Sequence, residues 1–166
     1  MENPNPFHPL LNPTGQQWTN QSFEADPTLD DEVMDAYEIG WRSSPSEKFL
    51  WELSLFYYDT KDAVFSGPPT YEAHDYTSVG GELTFNYIPN SFWKLQGSYS
   101  SSKGEKEGVR QTDFPESMAS LASVIHAKDD LKLVQNLYFT GDRILPSSYN
   151  ELPIGDYLRL DLGMIW

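Results

Sequence analysis

The side chains best suited to binding a ligand stand close together at residues 71–76, which read YEAHDY. This segment combines two phenols, two carboxylates and an imidazole, and imidazole and carboxylate groups suit borderline metals. The other two histidines are far away in the sequence and complete no metal-ligand motif. We therefore predict that Tyr71, His74 and Tyr76 contact a ligand, with a solvated polar loop as the alternative interpretation.

The rest of the sequence argues against several functional classes. Without cysteine, the chain has no disulfide framework and no thiol chemistry. Its net charge of −14 argues against nucleic acid as a partner, because such binding requires cations that neutralise phosphates. There is no nucleophile elbow, phosphate loop or zinc motif, and no shielded cleft is predicted around the carboxylates of Glu52 and Glu82. We therefore expect neither an enzyme nor a bound cofactor or metal.

The last ten residues indicate what kind of element must position the candidate ligand contacts. Residues 157–166 alternate strictly, and a period of two is typical of a β-strand. One face carries Arg159, Asp161 and Gly163. A strand between lipid and a polar barrel lumen requires such a distribution. The opposite face is apolar and comprises Leu158, Leu160, Leu162, Met164 and Trp166.

The same alternation recurs upstream, so the chain is predicted to be all-β with about seven strands. The predicted strands cover residues 34–43, 48–59, 77–88, 92–102, 117–126, 130–140 and 157–166. Short connections alternate with long ones; the short ones are 44–47, 89–91 and 127–129, and the long ones are 60–76, 103–116 and 141–156. Hairpin-length turns predict an antiparallel up-and-down meander. Bacterial outer-membrane barrels have short periplasmic turns and long outer loops.

The chain divides at about residue 33. Residues 1–33 are rich in Pro, Asn, Gln and acidic residues without a sustained period, and we expect an extracellular loop region. Residues 34–166 carry the predicted barrel strands. The first residues show no basic or apolar region of an export signal, so either the chain is part of a longer exported protein or the membrane interpretation is wrong.

Composition agrees with a barrel. Aromatic residues make up 14% of the chain, and outer-membrane barrels use them as girdles at both membrane interfaces. The mean hydropathy of −0.54 is low, as expected when only alternate strand residues meet lipid and the loops are polar. No apolar run approaches the roughly 20 residues of a transmembrane helix.

Five segments resemble strand motifs of TonB-dependent outer-membrane receptors, in the order that the family has them. Residues 35–42 (DAYEIGWR) resemble the family's xAYELGYR strand, and residues 53–59 (LSLFYYD) resemble the strand that follows it. The other three are residues 80–83 (GGEL), 93–100 (WKLQGSYS) and 157–166, which are similar to the GxELE, WLRLQASYSY and closing strands. The resemblance covers about residues 29–166.

The resemblance implies a 22-stranded, plugged transmembrane β-barrel in the cell outer membrane of a Gram-negative bacterium. This chain would supply its last seven strands, without the plug domain and the earlier strands. The family takes up scarce ligands such as iron–siderophore complexes or cobalamin-like compounds. The expected partners are outer-membrane lipid, the rest of the receptor, and TonB through the plug.

Two further classes are compatible with the alternation. A soluble all-β carbohydrate-binding module would gather exposed Trp and Tyr into one patch that stacks on sugars. A porin or adhesin anchor would be an outer-membrane barrel without TonB-dependent transport. The distribution of aromatic side chains over the sheet separates the soluble module from a barrel.

Tryptophan positions give a specific expectation for that distribution. Trp41, Trp51, Trp93 and Trp166 each lie near a short turn or the end of the chain. Trp favours an interface where its ring is buried and its N–H is wet. We predict that the four side chains lie on the apolar face, near the periplasmic end of the sheet.

The closing strand also resembles the C-terminal signal that the barrel assembly machinery reads. Physically, an exposed amphipathic edge strand is a template for the addition of another strand. In this sequence the signal comprises Tyr157, Leu160, Leu162, Met164 and Trp166.

We predict that Trp166→Ala, or deletion of Trp166, impairs membrane insertion of the full-length receptor, because the closing strand loses its terminal aromatic group. The measurement is heat-modifiable gel mobility of the outer-membrane fraction. His74→Ala is the control and should insert normally. Normal levels of folded barrel without Trp166 would rule out this role.

Overall fold

The computed structural model describes residues 30–67, 70–145 and 151–166, and the side chains of all of these except 65–67 and 70–72. The described residues form ten strands, and no helix long and apolar enough to cross a membrane occurs among them. The strands are β1 (Val33–Ser46), β2 (Phe49–Gly67), β3 (Thr70–Asn90), β4 (Trp93–Lys106), β5 (Val109–Arg110), β6 (Ser117–Lys128), β7 (Leu131–Thr140), β8 (Arg143–Leu145), β9 (Leu152–Ile154) and β10 (Tyr157–Ile165).

The main sheet is an antiparallel meander. Its strands follow the order β1-β2-β3-β4-β6-β7-β10, and β5 pairs with the end of β4. β8 and β9 form a separate hairpin within the connection from β7 to β10. Within the described residues, β1 and β10 are the outer strands, each with one open edge. The predicted all-β, up-and-down meander is confirmed.

The register gives the sheet two chemically different faces. Directly paired residues lie on the same face of a sheet. One apolar row crosses all seven strands of the meander: Trp41, Leu53, Leu83, Tyr99, Ala119, Phe139 and Leu158. The row of their immediate neighbours is polar throughout: Arg42, Glu52, Thr84, Ser98, Ser120, Tyr138 and Arg159. We call the faces that carry these rows the apolar face and the polar face.

The apolar face has no second layer of described structure over it. Ile39, Leu158 and Leu162 are 70%, 68% and 73% exposed, and the described residues include only Ala63 as a buried hydrophobic residue. Removing apolar surface from water contributes about 25 cal/mol per Å². A face this large and this exposed therefore needs an apolar environment to cover it.

Aromatic side chains are concentrated near the end of the apolar face where the short turns lie. The Phe49 ring packs edge-on against Tyr87 at 5.9 Å, and the indole Nε1 of Trp93 donates to the Ser123 hydroxyl at 3.0 Å. The register places Trp41, Trp51 and Trp93 on this face, as predicted. Trp166 follows the end of β10 and is 86% exposed.

The prediction of a long loop at 60–76 is wrong. β2 and β3 stay paired as far as Gly67 and Thr70, beyond a bulge in which Lys61 and Asp62 oppose the single residue Asp75. Asp62 has a φ of 54°, which is tolerated at a bulge. The alternation of apolar and polar residue types stops at this bulge, whereas the backbone pairing of the two strands continues beyond it. β4 likewise runs on to Lys106, into the predicted loop 103–116.

A glycine on the apolar face provides a stability test. The Phe85 ring covers Gly97 on the paired strand, and a Cβ at Gly97 would lie 2.2 Å from the ring atom Cε1. We predict that Gly97→Ala lowers the unfolding temperature of the full-length protein in detergent, because Phe85 must leave its position. Overpacking of this kind costs roughly 1–3 kcal/mol.

Gly40→Ala is the matched control for that experiment. A Cβ at Gly40 would meet nothing nearer than the Leu53 carbonyl oxygen at 3.9 Å, so the unfolding temperature should hardly change. Equal effects of the two substitutions would contradict the role assigned to the Phe85–Gly97 contact.

Candidate ligand site at the loop end

The predicted ligand contacts lie at the end of the sheet that carries the long connections, which we call the loop end. The β2–β3 hairpin extends past its neighbours here, and the connections 107–116 and 141–156 begin here. The opposite end of the sheet carries the turns after β1, β3 and β6, and we call it the turn end.

A tight turn shapes the loop end beside β3. Glu107 and Gly108 connect β4 to β5 with φ angles of 50° and 76°, and the flanking residues Lys106 and Val109 are paired. Positive φ at both central residues defines a two-residue hairpin turn of type I′. The Glu107 backbone N–H donates to the Asp75 carbonyl oxygen at 2.9 Å, which fastens the turn to β3.

This turn presents the Glu107 carboxylate to His74. The distance from His74 Nδ1 to Glu107 Oε1 is 2.9 Å, and the His74 side chain is 16% exposed against 59% for Glu107. The hydrogen bond from His74, and then the charge of the imidazole, lower the pKa of Glu107. Glu107 is therefore an ionised acceptor at neutral pH, and the imidazole is oriented by it.

Tyr76 lies two residues further along the same face of β3. Its ring packs over Gly104, where a Cβ would lie 2.1 Å from the phenol oxygen and 3.1 Å from Phe114. Burial, and then the nearby Asp113 carboxylate, raise the pKa of Tyr76. The phenol is therefore protonated at neutral pH and can act as a hydrogen-bond donor.

The structure thus brings two of the three predicted ligand contacts together. His74 and Tyr76 share a face of β3, whereas the side chain of Tyr71 is outside the described residues. Sequence reasoning missed Glu107 and Gly104, and the dipeptide Glu107-Gly108 was the available signal for the turn. Within residues 30–67, 70–145 and 151–166, no group of three or more His, Cys, Asp or Glu side chains could hold a metal ion.

A second feature of the loop end is a cavity of about 250 Å³ between residues 110–117 and 139–144, which we call the loop-end cavity. Its lining includes two guanidinium groups, three carboxylates and two phenyl rings. The residues are Arg110, Arg143, Glu116, Asp142, Asp156, Phe114 and Phe139. Arg110 is ion-paired with Glu116 through both Nε and a terminal nitrogen. Sequence reasoning did not identify this site, because its groups come from two connections far apart in the chain.

The polar face below the loop end carries a set of solvent-exposed side-chain contacts. Arg42 Nε lies 3.0 Å from Glu52 Oε1, and the hydroxyls of Ser98 and Ser120 are 2.7 Å apart. The Arg159 guanidinium stacks over Tyr138 at 4.5 Å. These contacts are exposed and chemically ordinary, so this face is suited to line water or to meet another polar surface.

The residues of the predicted assembly signal occupy β10. Leu160, Leu162 and Met164 lie on the apolar face, whereas Tyr157 pairs with Thr140 on the polar face. Within the described residues β10 pairs with β7 alone, which leaves its other edge open. The placement agrees with an amphipathic edge strand, and recognition by the assembly machinery stays a prediction.

The sequence matches a family model over almost its whole length. Residues 5–166 match the model described as TonB dependent receptor-like, beta-barrel, and the chain belongs to this family. None of the curated proteins compared matches significantly.

Solved structures share the fold. The ferripyoverdine receptor of the outer membrane of Pseudomonas aeruginosa is 16% identical, with a TM-score of 0.69 over 82% of this chain and 21% of that one. The ferric yersiniabactin uptake receptor FyuA of Yersinia pestis is 21% identical, with a TM-score of 0.65 over 80% and 22%. The ferric-catecholate import receptor Fiu of E. coli K12 is 18% identical, with a TM-score of 0.65 over 80% and 21%.

The chain therefore spans about a fifth of the length of these structures. The solved structures share the fold of the meander, and the family model identifies it as part of a TonB-dependent receptor barrel. This membership favours a receptor barrel over the soluble carbohydrate-binding module and over a porin or adhesin anchor.

The contact between His74 and Glu107 gives a pH prediction. Because the pKa of Glu107 is lowered, the stabilisation from this contact is present above the ordinary glutamate pKa and is lost as the pH falls through the lowered value. We expect the Glu107 carboxyl ¹³C shift in the labelled full-length receptor to titrate below the ordinary glutamate range. His74→Ala should raise the Glu107 pKa, and identical titrations in both proteins would contradict the contact.

Proposed function

We propose that this chain forms the C-terminal part of the barrel of a TonB-dependent receptor in the outer membrane of a Gram-negative bacterium. The receptor imports a scarce ligand, such as an iron–siderophore complex or a cobalamin-like compound. Ligand capture would take place in the outer loops and the plug, and release through the barrel would use energy delivered by TonB. This chain contributes wall and loops and carries out no catalysis.

The observation that carries this proposal is the uncovered apolar face of a single-layer sheet. Trp41 and Leu158, at opposite ends of one apolar row, are 66% and 68% exposed. In hydrocarbon every backbone polar group needs an internal partner, and a closed sheet supplies one for each strand. The apolar face therefore fits contact with lipid, and the aromatic cluster at the turn end fits a membrane interface.

The distribution of aromatic side chains supports a barrel over a sugar platform. Tyr37 and Tyr57, whose ring centroids are 6.3 Å apart, lie on the first two strands, and Phe139 lies on β7. Besides the aromatic cluster at the turn end, aromatic groups therefore also lie nearer the loop end of the apolar face, from the first two strands to β7. A barrel wall needs this spread, whereas a sugar platform does not.

The open edges and the polar face support the partners that we propose. Strand edges in a membrane must be paired, so β1 and β10 fit barrel strands outside this chain. On the polar face Glu38, Arg42, Glu52 and Glu82 project from β1 to β3. We expect them to hydrogen-bond the plug or to line water. TonB would act through the plug, and the barrel assembly machinery would insert the wall.

The choice of ligand draws on the relatives. Three of the similar structures are described as receptors or importers of ferripyoverdine, ferric yersiniabactin and ferric catecholates. This favours an iron chelate over a cobalamin-like compound as the first ligand to test.

The experiment uses a strain that lacks the gene for the full-length receptor. Accumulation of ⁵⁵Fe-labelled chelates and of labelled cobalamin is measured with the gene restored, in cells with and without functional TonB. We expect accumulation of one ligand, and only when both the receptor and TonB are present. Equal accumulation without TonB would identify a passive barrel and would overturn the proposal.

A further inference from the structure

We propose that the loop-end cavity binds a zwitterionic amino-acid group, with one carboxylate and one ammonium, either as a free molecule or as part of a larger ligand. The inference names a chemical class of ligand for the uptake proposed above, and it rests on that function. It does not involve His74 or Tyr76, which lie on β3.

The cavity arises where the backbone hydrogen bonding between residues 112–117 and residues 141–144 is interrupted. The Gly141 N–H donates to the Ser117 carbonyl at 2.8 Å, and contact resumes where the Ile144 N–H donates to the Thr112 carbonyl at 2.6 Å. Between these two hydrogen bonds the chain is longer on the Thr112 side than on the Ile144 side. The longer segment cannot follow the shorter one, and the separation leaves the cavity.

The charges around the cavity are divided between paired and available groups. Arg110 and Glu116 are bound to each other. Arg143, Asp142 and Asp156 also line the cavity, and in the described part of the chain none of the three has an ion-pair partner within 4.0 Å. Among the residues that the structure describes, the cavity therefore offers one guanidinium and two carboxylates without an ion-pair partner.

These charges favour a zwitterion over a ligand that carries only one charged group. A ligand with only a carboxylate would gain from Arg143 but would meet the like charges of Asp142 and Asp156. A ligand with only an ammonium would be attracted by the two aspartates, but it would meet the like charge of Arg143 and leave that guanidinium without a partner. A molecule with both groups can place its carboxylate at the guanidinium and its ammonium at the aspartates, so that both charges of the ligand meet an opposite charge.

The volume of the cavity and its apolar lining residues further restrict the class of ligand. Phe114 and Ile144 line the same cavity, which gives it an apolar part beside the charged one. Sites for drug-sized ligands have volumes of roughly 300–1,000 Å³, so a cavity of about 250 Å³ suits a smaller group. An amino-acid head with an apolar side chain has this size and chemistry.

The test is calorimetric titration of the purified full-length receptor in detergent with three probes. L-phenylalanine carries both charges, L-phenylalaninamide carries only the ammonium, and N-acetyl-L-phenylalanine carries only the carboxylate. We expect L-phenylalanine to bind at least roughly tenfold more tightly than either analogue, since each removes one charge-assisted contact. Equal affinity for all three probes, or no binding of L-phenylalanine, would overturn the proposal.

Two variants test which side chain of the cavity binds which charged group of the ligand. Arg143→Gln should weaken L-phenylalanine binding roughly tenfold and should not weaken the binding of L-phenylalaninamide, whereas Asp142→Asn with Asp156→Asn should weaken binding of both. Lys128→Gln, at the turn end, is the matched control and should change nothing. Heat-modifiable mobility verifies that each variant is folded, and Arg143→Lys, which keeps the positive charge, should retain part of the affinity.

Uptake measurements separate this inference from the proposed function. TonB-dependent import without L-phenylalanine binding in the titration would refute the zwitterion site and leave the receptor function intact. Specific binding of L-phenylalanine, lost in Arg143→Gln, together with TonB-independent accumulation would refute the receptor function and leave the binding site intact.

Discussion

Everything in this structure depends on two rows of side chains that are one residue apart along each strand. The apolar row from Trp41 to Leu158 and the polar row from Arg42 to Arg159 cross the same seven strands. A slip of one residue in any strand would exchange its two faces and bring charged groups into the apolar row. The register is therefore fixed by the chemical difference between the two faces rather than by a packed interior.

That constraint explains why the strands were predictable from the sequence and their ends were not. Wherever one face of a strand is apolar, apolar and polar residues alternate along the sequence, so all seven strands of the meander were identified. Beyond Asp59 both faces of the β2–β3 hairpin lose this contrast, while the backbone ladder continues to Gly67. Hydrogen bonding between main chains is independent of side-chain type, and it leaves no periodic signal in the sequence.

The candidate ligand site shows the same division. His74 and Tyr76 could be chosen from one short segment because their side chains are chemically unusual and two residues apart. Glu107 reaches His74 only because of a type I′ turn 33 residues away along the chain. The loop-end cavity depends on where two distant connections separate, so Arg143 and Asp142 could not be associated with Arg110 from the sequence. Contacts of this kind form only when distant parts of the chain meet in the folded structure, and no local sequence pattern indicates them.

The number of strands in the meander has a topological consequence. Six antiparallel steps lead from β1 to β10, so these two outer strands run in the same direction. If the described sheet curled until its edges met, the seam would be parallel, and a ring of identical copies would repeat that parallel seam at every junction. An entirely antiparallel closed wall therefore requires an odd number of additional strands, whose first and last members both run opposite to β1. For an entirely antiparallel wall, the parity of the meander therefore makes the seven described strands an incomplete arc.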